Sequence, residues 1–167
     1  MAYVGPEDVI YEAKHFVLSR PIRPFVSREE GGHMRIFARR QEISERRDFT
    51  PEEAVEFIWL SSIAGEALEL AMNKRGVKVV KINFQEMGNW AFKTGDKVTF
   101  HEHIFGRAEN AKHQIFPEAL QLPDRSSGFY EGFEPLNEDD MKAIRTKIEE
   151  IAKRPKYANK SEWKLPT

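Results

Sequence analysis

Hydrophobic and polar side chains alternate along short stretches of the chain, which is the pattern of strands that bury one face. The first stretch covers residues 15–19. In the second, residues 33–38, the side chains of Met34, Ile36 and Ala38 fall on one face. A polar turn with two glycines separates the stretches, so we expect an antiparallel pair.

Two longer stretches repeat their apolar residues every three or four positions, as helices with one buried side do. The first begins at Thr50-Pro51, where Thr50 can cap the helix and proline fits the first turn, and ends before Gly76. The second covers residues 137–153, with Asn137 as its cap. Its buried stripe is predicted to contain Met141, Ile144, Ile148 and Ile151.

Between these helices lie two further stretches of strand character, residues 77–84 and 97–105, joined by a polar loop. Residues 108–135 are rich in proline and glycine and are predicted to be irregular. The order β-β-α-β-β-α predicts an α+β fold, an antiparallel sheet of about five strands with its helices on one face. The opposite face of the sheet is then left for a ligand.

Composition narrows the classes of function. The chain has 167 residues, 40% of them hydrophobic, which suits one core. A net charge of −1 gives no field that would attract a nucleic acid polymer or an anionic membrane. No apolar run approaches the roughly 20 residues of a membrane span, and the N-terminus lacks a secretory pattern, so we expect a cytoplasmic protein. The absence of cysteine excludes disulfides, thiolate metal sites and thiol catalysis.

The segment His101-Glu102-His103 carries the candidate chemistry. Two histidines at i and i+2 of a strand project from the same face, about 7 Å apart. A neutral imidazole can attack phosphorus, and a second imidazole can orient it or move a proton. Two surface histidines on an edge strand are the alternative. A metal site is disfavoured, because Glu102 points to the opposite face from both histidines.

The surroundings of this pair resemble the histidine triad (HIT) superfamily of nucleotide hydrolases and transferases. Residues 95–107, GDKVTFHEHIFGR, are similar to the signature strand, in which alternating histidines end in a small residue and arginine. The segments 16–22 and 32–40 resemble the first hairpin with its Gly-His turn, and 48–53 resembles the entry to the long helix. The resemblance implies one HIT-like domain over residues 1–167, with its core at 15–107 and a C-terminal extension.

The HIT signature has three alternating histidines, and this chain has two of them. Counted back from Arg107, Thr99 stands at the first position, His101 at the middle, nucleophilic position and His103 at the third. Counted forward from His101, His103 becomes the nucleophile and Phe105 the replacement. The spacing to the final Gly-Arg favours the first alternative.

Glu102 is a second departure, since the family has an apolar residue there, under the long helix. We expect this carboxylate to pair with a buried arginine or lysine, or the strand to be irregular at that point.

The resemblance implies roles for single residues. His101 is the attacking imidazole, His103 contacts the phosphoryl oxygens or moves a proton, and His33 borders the phosphate site. Ser19 stands where the family often has a ribose-binding asparagine. The remaining candidates for substrate binding are Asn83, Gln85 and Asn89, for the α-phosphate or leaving group, together with Thr99 and Arg107.

The resemblance implies an enzyme that attacks the α-phosphorus of a nucleotide, with dinucleoside polyphosphates as substrates and water as acceptor. Transfer to another phosphate, as in nucleotidyltransferases and phosphorylases, and a nucleotide-binding module without turnover are the alternatives. No cofactor is implied, with Mg²⁺ at most accompanying the nucleotide. A homodimer is the implied assembly.

Overall fold

The computed structural model describes residues 5–163 and contains one five-stranded antiparallel sheet with the strand order β1-β2-β3-β5-β4. The predicted α+β class is therefore confirmed. The strands are β1 (Val9–Glu12), β2 (Phe16–Ser19), β3 (His33–Ala38), β4 (Val79–Glu86) and β5 (His101–Ala108), and the helices are α1 (Pro51–Lys74), α2 (Ala91–Thr94), α3 (Glu138–Ala152) and α4 (Pro155–Ala158).

Helix α1 covers one face of this sheet and begins where the sequence predicts. The hydroxyl of Thr50 accepts from the backbone N–H of Glu53, whose carboxylate accepts in return from the N–H of Thr50. The buried side of α1 packs on apolar side chains that alternate along β2, β3 and β5. Helix α3 packs on α1, so the opposite face of the sheet receives neither long helix. Within residues 5–163, no helix is long and apolar enough to cross a membrane.

The structure differs from the predicted elements at several boundaries. Strand β1 has four residues, of which Ile10 alone is buried, so it shows too little alternation to be found in the sequence. Strand β5 starts at His101 and not at residue 97. The backbone N–H of Phe100 donates to the carbonyl oxygen of Ile43, at 2.8 Å, and not to a neighbouring strand. The predicted loop 85–96 contains the short helix α2.

The sequence after Pro155 predicts loose packing, but residues 155–163 are held on α1. Tyr157 in α4 is buried, and its ring stacks on Trp163 with centroids 5.8 Å apart. The indole of Trp59 in α1 donates to the carbonyl oxygen of Tyr157 at 3.2 Å. A cluster of aromatic side chains therefore holds this part of the chain on α1.

The irregular segment 108–135 is attached to the rest of the protein by buried polar groups. The carboxylate of Glu30 accepts three consecutive backbone N–H groups, those of residues 112–114. The side-chain amide of Gln114, which is also buried, donates to the carbonyl oxygen of Phe25 at 2.9 Å. These bonds satisfy the backbone of a segment that has no ladder of its own.

Asp140 joins three parts of the fold through one fully buried carboxylate. It accepts from Arg28 at 2.6 Å, from Arg75 just after α1, and from the backbone of Asn137 at the start of α3. Burial alone would raise the pKa of Asp140, but these donors outweigh it and lower the pKa.

We expect Asp140→Asn to lower the free energy of unfolding by about 3 kcal/mol, because it leaves two guanidinium groups without their shared anion. Urea denaturation at pH 7 measures this loss. The matched control is Asp139→Asn, since the side chain of Asp139 is 78% exposed and its removal is expected to cost less than about 0.5 kcal/mol. Equal losses in the two variants would contradict the structural role of Asp140.

Candidate functional site

A cleft of about 400 Å³ lies on the face of the sheet that α1 leaves free. His33, His101 and His103 line it from neighbouring strands, because residues 33, 101 and 103 all point to this face. The rings of His101 and His103 are perpendicular, with centroids 4.8 Å apart. The other walls come from the loop between β2 and β3, the loop between β4 and β5 and the segment after β5. They include Phe25, Asn89, Trp90, Thr99, Leu122 and Arg125.

Hydrogen bonds fix which nitrogen of His33 and of His103 carries a proton. The backbone N–H of Phe25 donates to Nδ1 of His33 at 3.1 Å, so Nδ1 is an acceptor and a neutral His33 is protonated on Nε2. That Nε2 lies 2.9 Å from Nδ1 of His103 and donates to it. The proton of a neutral His103 is therefore on Nε2, and His103 presents an N–H donor.

His101 has the opposite tautomer. Its Nδ1 lies 3.0 Å from the carbonyl oxygen of Thr99, which can only accept, so the proton is on Nδ1. The remaining nitrogen, Nε2, keeps its lone pair. Of the two histidines in the motif, His101 thus has a free nucleophilic nitrogen, whereas His103 has a free donor.

Burial keeps these imidazoles neutral. Desolvation lowers the pKa of His33 and of His103 well below the usual value, and the neighbouring histidines lower it further. The pKa of His101 is also lowered, first by burial and then by the charge of Arg35, although the bond to Thr99 opposes the shift. All three rings are therefore uncharged at neutral pH, the state in which an imidazole can attack or donate as described.

Glu102 lies on the other face of β5, where it is buried against α1. The hydroxyl of Ser61 donates to its Oε2 at 2.6 Å, and a guanidinium nitrogen of Arg46 lies 3.6 Å from its Oε1. Burial raises the pKa of Glu102 to about 7. A buried arginine or lysine is expected as its partner, but Arg46 is 54% exposed and the buried contact is the hydroxyl of Ser61. The carboxylate does not face His101 or His103.

Four predicted substrate-binding residues do not line the cleft. Arg107 is buried, and its guanidinium donates to Asn83 at 2.8 Å and to the carbonyl oxygens of residues 114, 115 and 118. Both side chains therefore hold the segment after β5 in place and are not directed at a phosphate. Ser19 is fully buried. Gln85 on β4 pairs with His103 on β5 but also lies outside the lining of the cleft.

The cleft also contains residues that were not predicted from the sequence to line it. Phe25 packs between His33, His103, Trp90 and Tyr130, with ring centroids 5.5–5.7 Å apart. Arg35 follows His33 by two positions on the same face of β3, and this spacing could have identified it. Arg125 comes from the segment after β5, and nothing in the sequence indicates that it returns to the sheet.

In the part of the chain between residues 5 and 163, no group of three or more histidine, aspartate or glutamate side chains is arranged to hold a metal ion. Of the three clustered histidines, His33 bonds to His103 and to the backbone of Phe25, and His101 bonds to the backbone of Thr99.

Comparisons with known proteins identify the family of this chain. A profile of the HIT domain matches residues 3–110. No curated protein matches the sequence of this chain.

Solved histidine triad proteins share the fold at low sequence identity. A hypothetical histidine triad nucleotide-binding protein from Sulfolobus tokodaii is 16% identical, with a TM-score of 0.56 over 89% of this chain and 87% of its own. A histidine triad protein from Bradyrhizobium japonicum is 17% identical, with a TM-score of 0.59 over 85% of this chain and 92% of its own. A third, from Sinorhizobium meliloti, is also 17% identical, with a TM-score of 0.58 over 85% of this chain and 87% of its own.

At these identities the solved structures support the fold alone, whereas the HIT profile covers more than half of the sequence, including the strand with His101 and His103. This chain belongs to the HIT domain family.

Proposed function

We propose that this protein is a nucleotide hydrolase that attacks the α-phosphorus of a nucleoside phosphate anhydride or amidate, with His101 as the nucleophile. The observation that carries the proposal is the bond from Nδ1 of His101 to the carbonyl of Thr99, which leaves Nε2 unprotonated and free. Membership of the HIT family and the description of the Sulfolobus relative as nucleotide-binding support a nucleotide as the ligand. Dinucleoside polyphosphates are the proposed substrates.

In the first step, the lone pair on Nε2 of His101 forms a bond to the α-phosphorus, and the bond from phosphorus to the leaving oxygen or nitrogen breaks. The leaving group departs with that electron pair. The ring becomes a nucleotidyl-imidazolium, and the carbonyl of Thr99 stabilises its Nδ1–H. The Nε2–H of His103 donates to a non-bridging phosphoryl oxygen, and the bond from His33 holds the donor in position.

In the second step, water attacks the same phosphorus, the N–P bond breaks and its electron pair returns to Nε2 of His101. The product is a nucleoside monophosphate, and the proton from water leaves with the product or enters solvent. The chain supplies positioned imidazoles for both steps, so we propose no resident cofactor, with Mg²⁺ only as a companion of the nucleotide.

A nucleotide-binding module without turnover is the second candidate. The observation that favours it is Thr99 at the first position of the triad, where it contributes a backbone carbonyl to His101 and no third imidazole. A binder would protect a dinucleoside polyphosphate from hydrolysis, so the same turnover measurement separates the two candidates. A nucleotidyltransferase or phosphorylase would instead need an added phosphate acceptor for product release.

We expect His101→Asn to abolish the nucleotidyl adduct and to lower turnover of diadenosine tetraphosphate at least about a thousandfold, because the nucleophile is gone. His103→Ala removes a hydrogen-bond donor, so it should slow turnover about a hundredfold while the adduct still forms. Intact-mass spectrometry after a quench without acid detects the adduct. The control is His15→Asn, a histidine outside the cleft. An adduct that persists in His101→Asn and disappears in His103→Ala would reverse the assignment.

The pH profile of kcat/KM should fall on the acid side with an apparent pKa below 6.5. Folding lowers the pKa of His101, so its neutral, reactive form persists to a lower pH than that of a free imidazole. Initial rates between pH 4.5 and 8.5 measure the profile, and circular dichroism confirms that the protein stays folded. An acid limb centred above 6.5, or none before unfolding, would contradict a buried histidine nucleophile.

We also propose that the protein forms a homodimer through the free edge of the sheet at β4. An uncovered edge strand can pair with another chain. Apolar side chains lie exposed beside this edge: Phe84 on the helix side of β4, Val80 on the same strand and Ile58 on α1.

Size-exclusion chromatography with light scattering should therefore give twice the monomer mass of 19.4 kDa. Phe84→Glu should shift the protein to the monomer, because it places a charge in the buried interface. Ile22→Glu is the control, since Ile22 is 67% exposed and follows β2, which β3 and β5 separate from β4. A wild-type monomer at micromolar concentration would reject this assembly.

A further inference from the structure

The cleft contains two guanidinium groups that come from different parts of the chain. Arg35 lies on β3 directly opposite His103, and its Cζ is 4.8 Å from the centroid of the Phe37 ring, which stacks on His101. Arg125 comes from the segment after β5, and its Cζ lies 3.9 Å from the ring centroid of Phe25. Both side chains line the same cleft as the three histidines.

Neither guanidinium is neutralised within the described chain. Between residues 5 and 163, no carboxylate lies within ion-pair distance of Arg35 or Arg125. Asp8 acts on Arg35 from further away but is itself paired with Arg20 at 2.9 Å. Asp96, the carboxylate that also lines the cleft, is exposed and accepts from Thr94.

The hydrogen bonds of these two groups are also incomplete. Nε of Arg35 is buried without a partner among the described residues. Arg125 donates to the carbonyl oxygens of Pro24 and Arg23, and its other N–H groups have no acceptor within residues 5–163. Arg107 also has a buried Nε without a partner among the described residues, but its other two guanidinium nitrogens donate to four acceptors. The side chain of Arg35, in contrast, makes no hydrogen bond within residues 5–163.

Holding two such cations together is unfavourable without a ligand. Both residues are partly buried, and a partly buried cation that lacks acceptors loses part of its hydration without compensation. Burial, and then the charge of Arg125, lower the pKa of Arg35 to about 10. An anion in the cleft would supply acceptors to the guanidinium groups and would offset the repulsion between their charges. Guanidinium groups match the oxygens of phosphate better than any other side chain does.

We propose that Arg35 and Arg125 form a second anion subsite, which binds a phosphate group of the substrate other than the one that His101 attacks. That His101 attacks a nucleotide phosphate rests on the proposed function. A second anion subsite narrows the proposed substrates to nucleotides with at least two phosphates. The second phosphate belongs either to the anhydride chain or to the ribose of the same nucleotide.

Half of this subsite depends on the chain beyond the HIT profile, which ends at residue 110. Arg125 reaches the cleft because Glu30 and Gln114 hold the preceding segment on the sheet. The extension therefore sets specificity for the ligand, while the reacting histidines lie within the common domain.

Isothermal titration calorimetry on the His101→Asn protein, which does not consume its ligand, tests the proposal. The ligands are AMP, ADP, adenosine 3′,5′-bisphosphate and inorganic pyrophosphate. We expect ADP or the 3′,5′-bisphosphate to bind about tenfold more tightly than AMP, as one charge-assisted phosphate contact gives. Which of the two shows the preference identifies the source of the second phosphate.

Arg125→Gln and Arg35→Met, each added to this protein, should abolish the preference and leave the Kd of AMP nearly unchanged. The second substitution keeps an aliphatic chain on the Phe37 ring, and thermal unfolding checks that each variant folds. The matched control is Arg47→Gln, whose side chain is 80% exposed and lies outside the cleft. It should retain the full preference.

Equal affinity for AMP, ADP and the 3′,5′-bisphosphate would overturn the subsite while the proposed function stands. The subsite would also be overturned if the arginine substitutions weakened the binding of all three nucleotides equally, since the arginines would then act on the reacting phosphate. If no nucleotide binds but pyrophosphate does, and the arginine variants lose it, the subsite stands and the nucleotide assignment fails. If pyrophosphate also fails to bind, both proposals fail.

Discussion

The alternation of side chains along β5 is the constraint on which both the core and the cleft depend. One strand has to satisfy two environments, because Glu102 and Ile104 face α1 while His101 and His103 face the open side of the sheet. A shift of register by one residue would exchange the two sets, placing imidazoles under the helix and a carboxylate in the cleft. Packing of β5 against α1 and the positions of the imidazoles are therefore fixed together.

On the open side, a chain of directed hydrogen bonds determines what each imidazole can do. A backbone N–H orients His33, which orients His103, and a backbone carbonyl independently orients His101. The cluster contains no carboxylate, so burial lowers the histidine pKa values without an opposing anion. The resulting site is neutral in its imidazoles and positive in its surroundings, which suits a negatively charged ligand.

The buried acids of the protein are used away from this site. Glu30 binds the backbone of the segment after β5, Asp140 joins α3 to two arginines, and Glu102 bonds to Ser61 beneath the sheet. Each of these carboxylates fixes an element that borders or supports the cleft. Within residues 5–163, the two arginines of the cleft have no acid partner, and Glu30 holds the segment that carries Arg125.

The sequence by itself determined the elements whose signal is local. Capping at Thr50, apolar spacing along α1 and α3, and alternation in β2 and β3 each follow from neighbouring residues, so these elements were predicted correctly. The His101-Glu102-His103 spacing likewise determined that two imidazoles share a face and that the carboxylate does not, because that depends on strand geometry alone.

Only the tertiary structure decided which polar residues reach that face. Arg107 and Asn83 were predicted to bind substrate, but they bond to each other once the segment after β5 folds back. The same folding brings Arg125 into the cleft from beyond residue 110. Side-chain tautomers, burial and the partner of a long arginine depend on residues far away in the chain, so no local pattern could specify them.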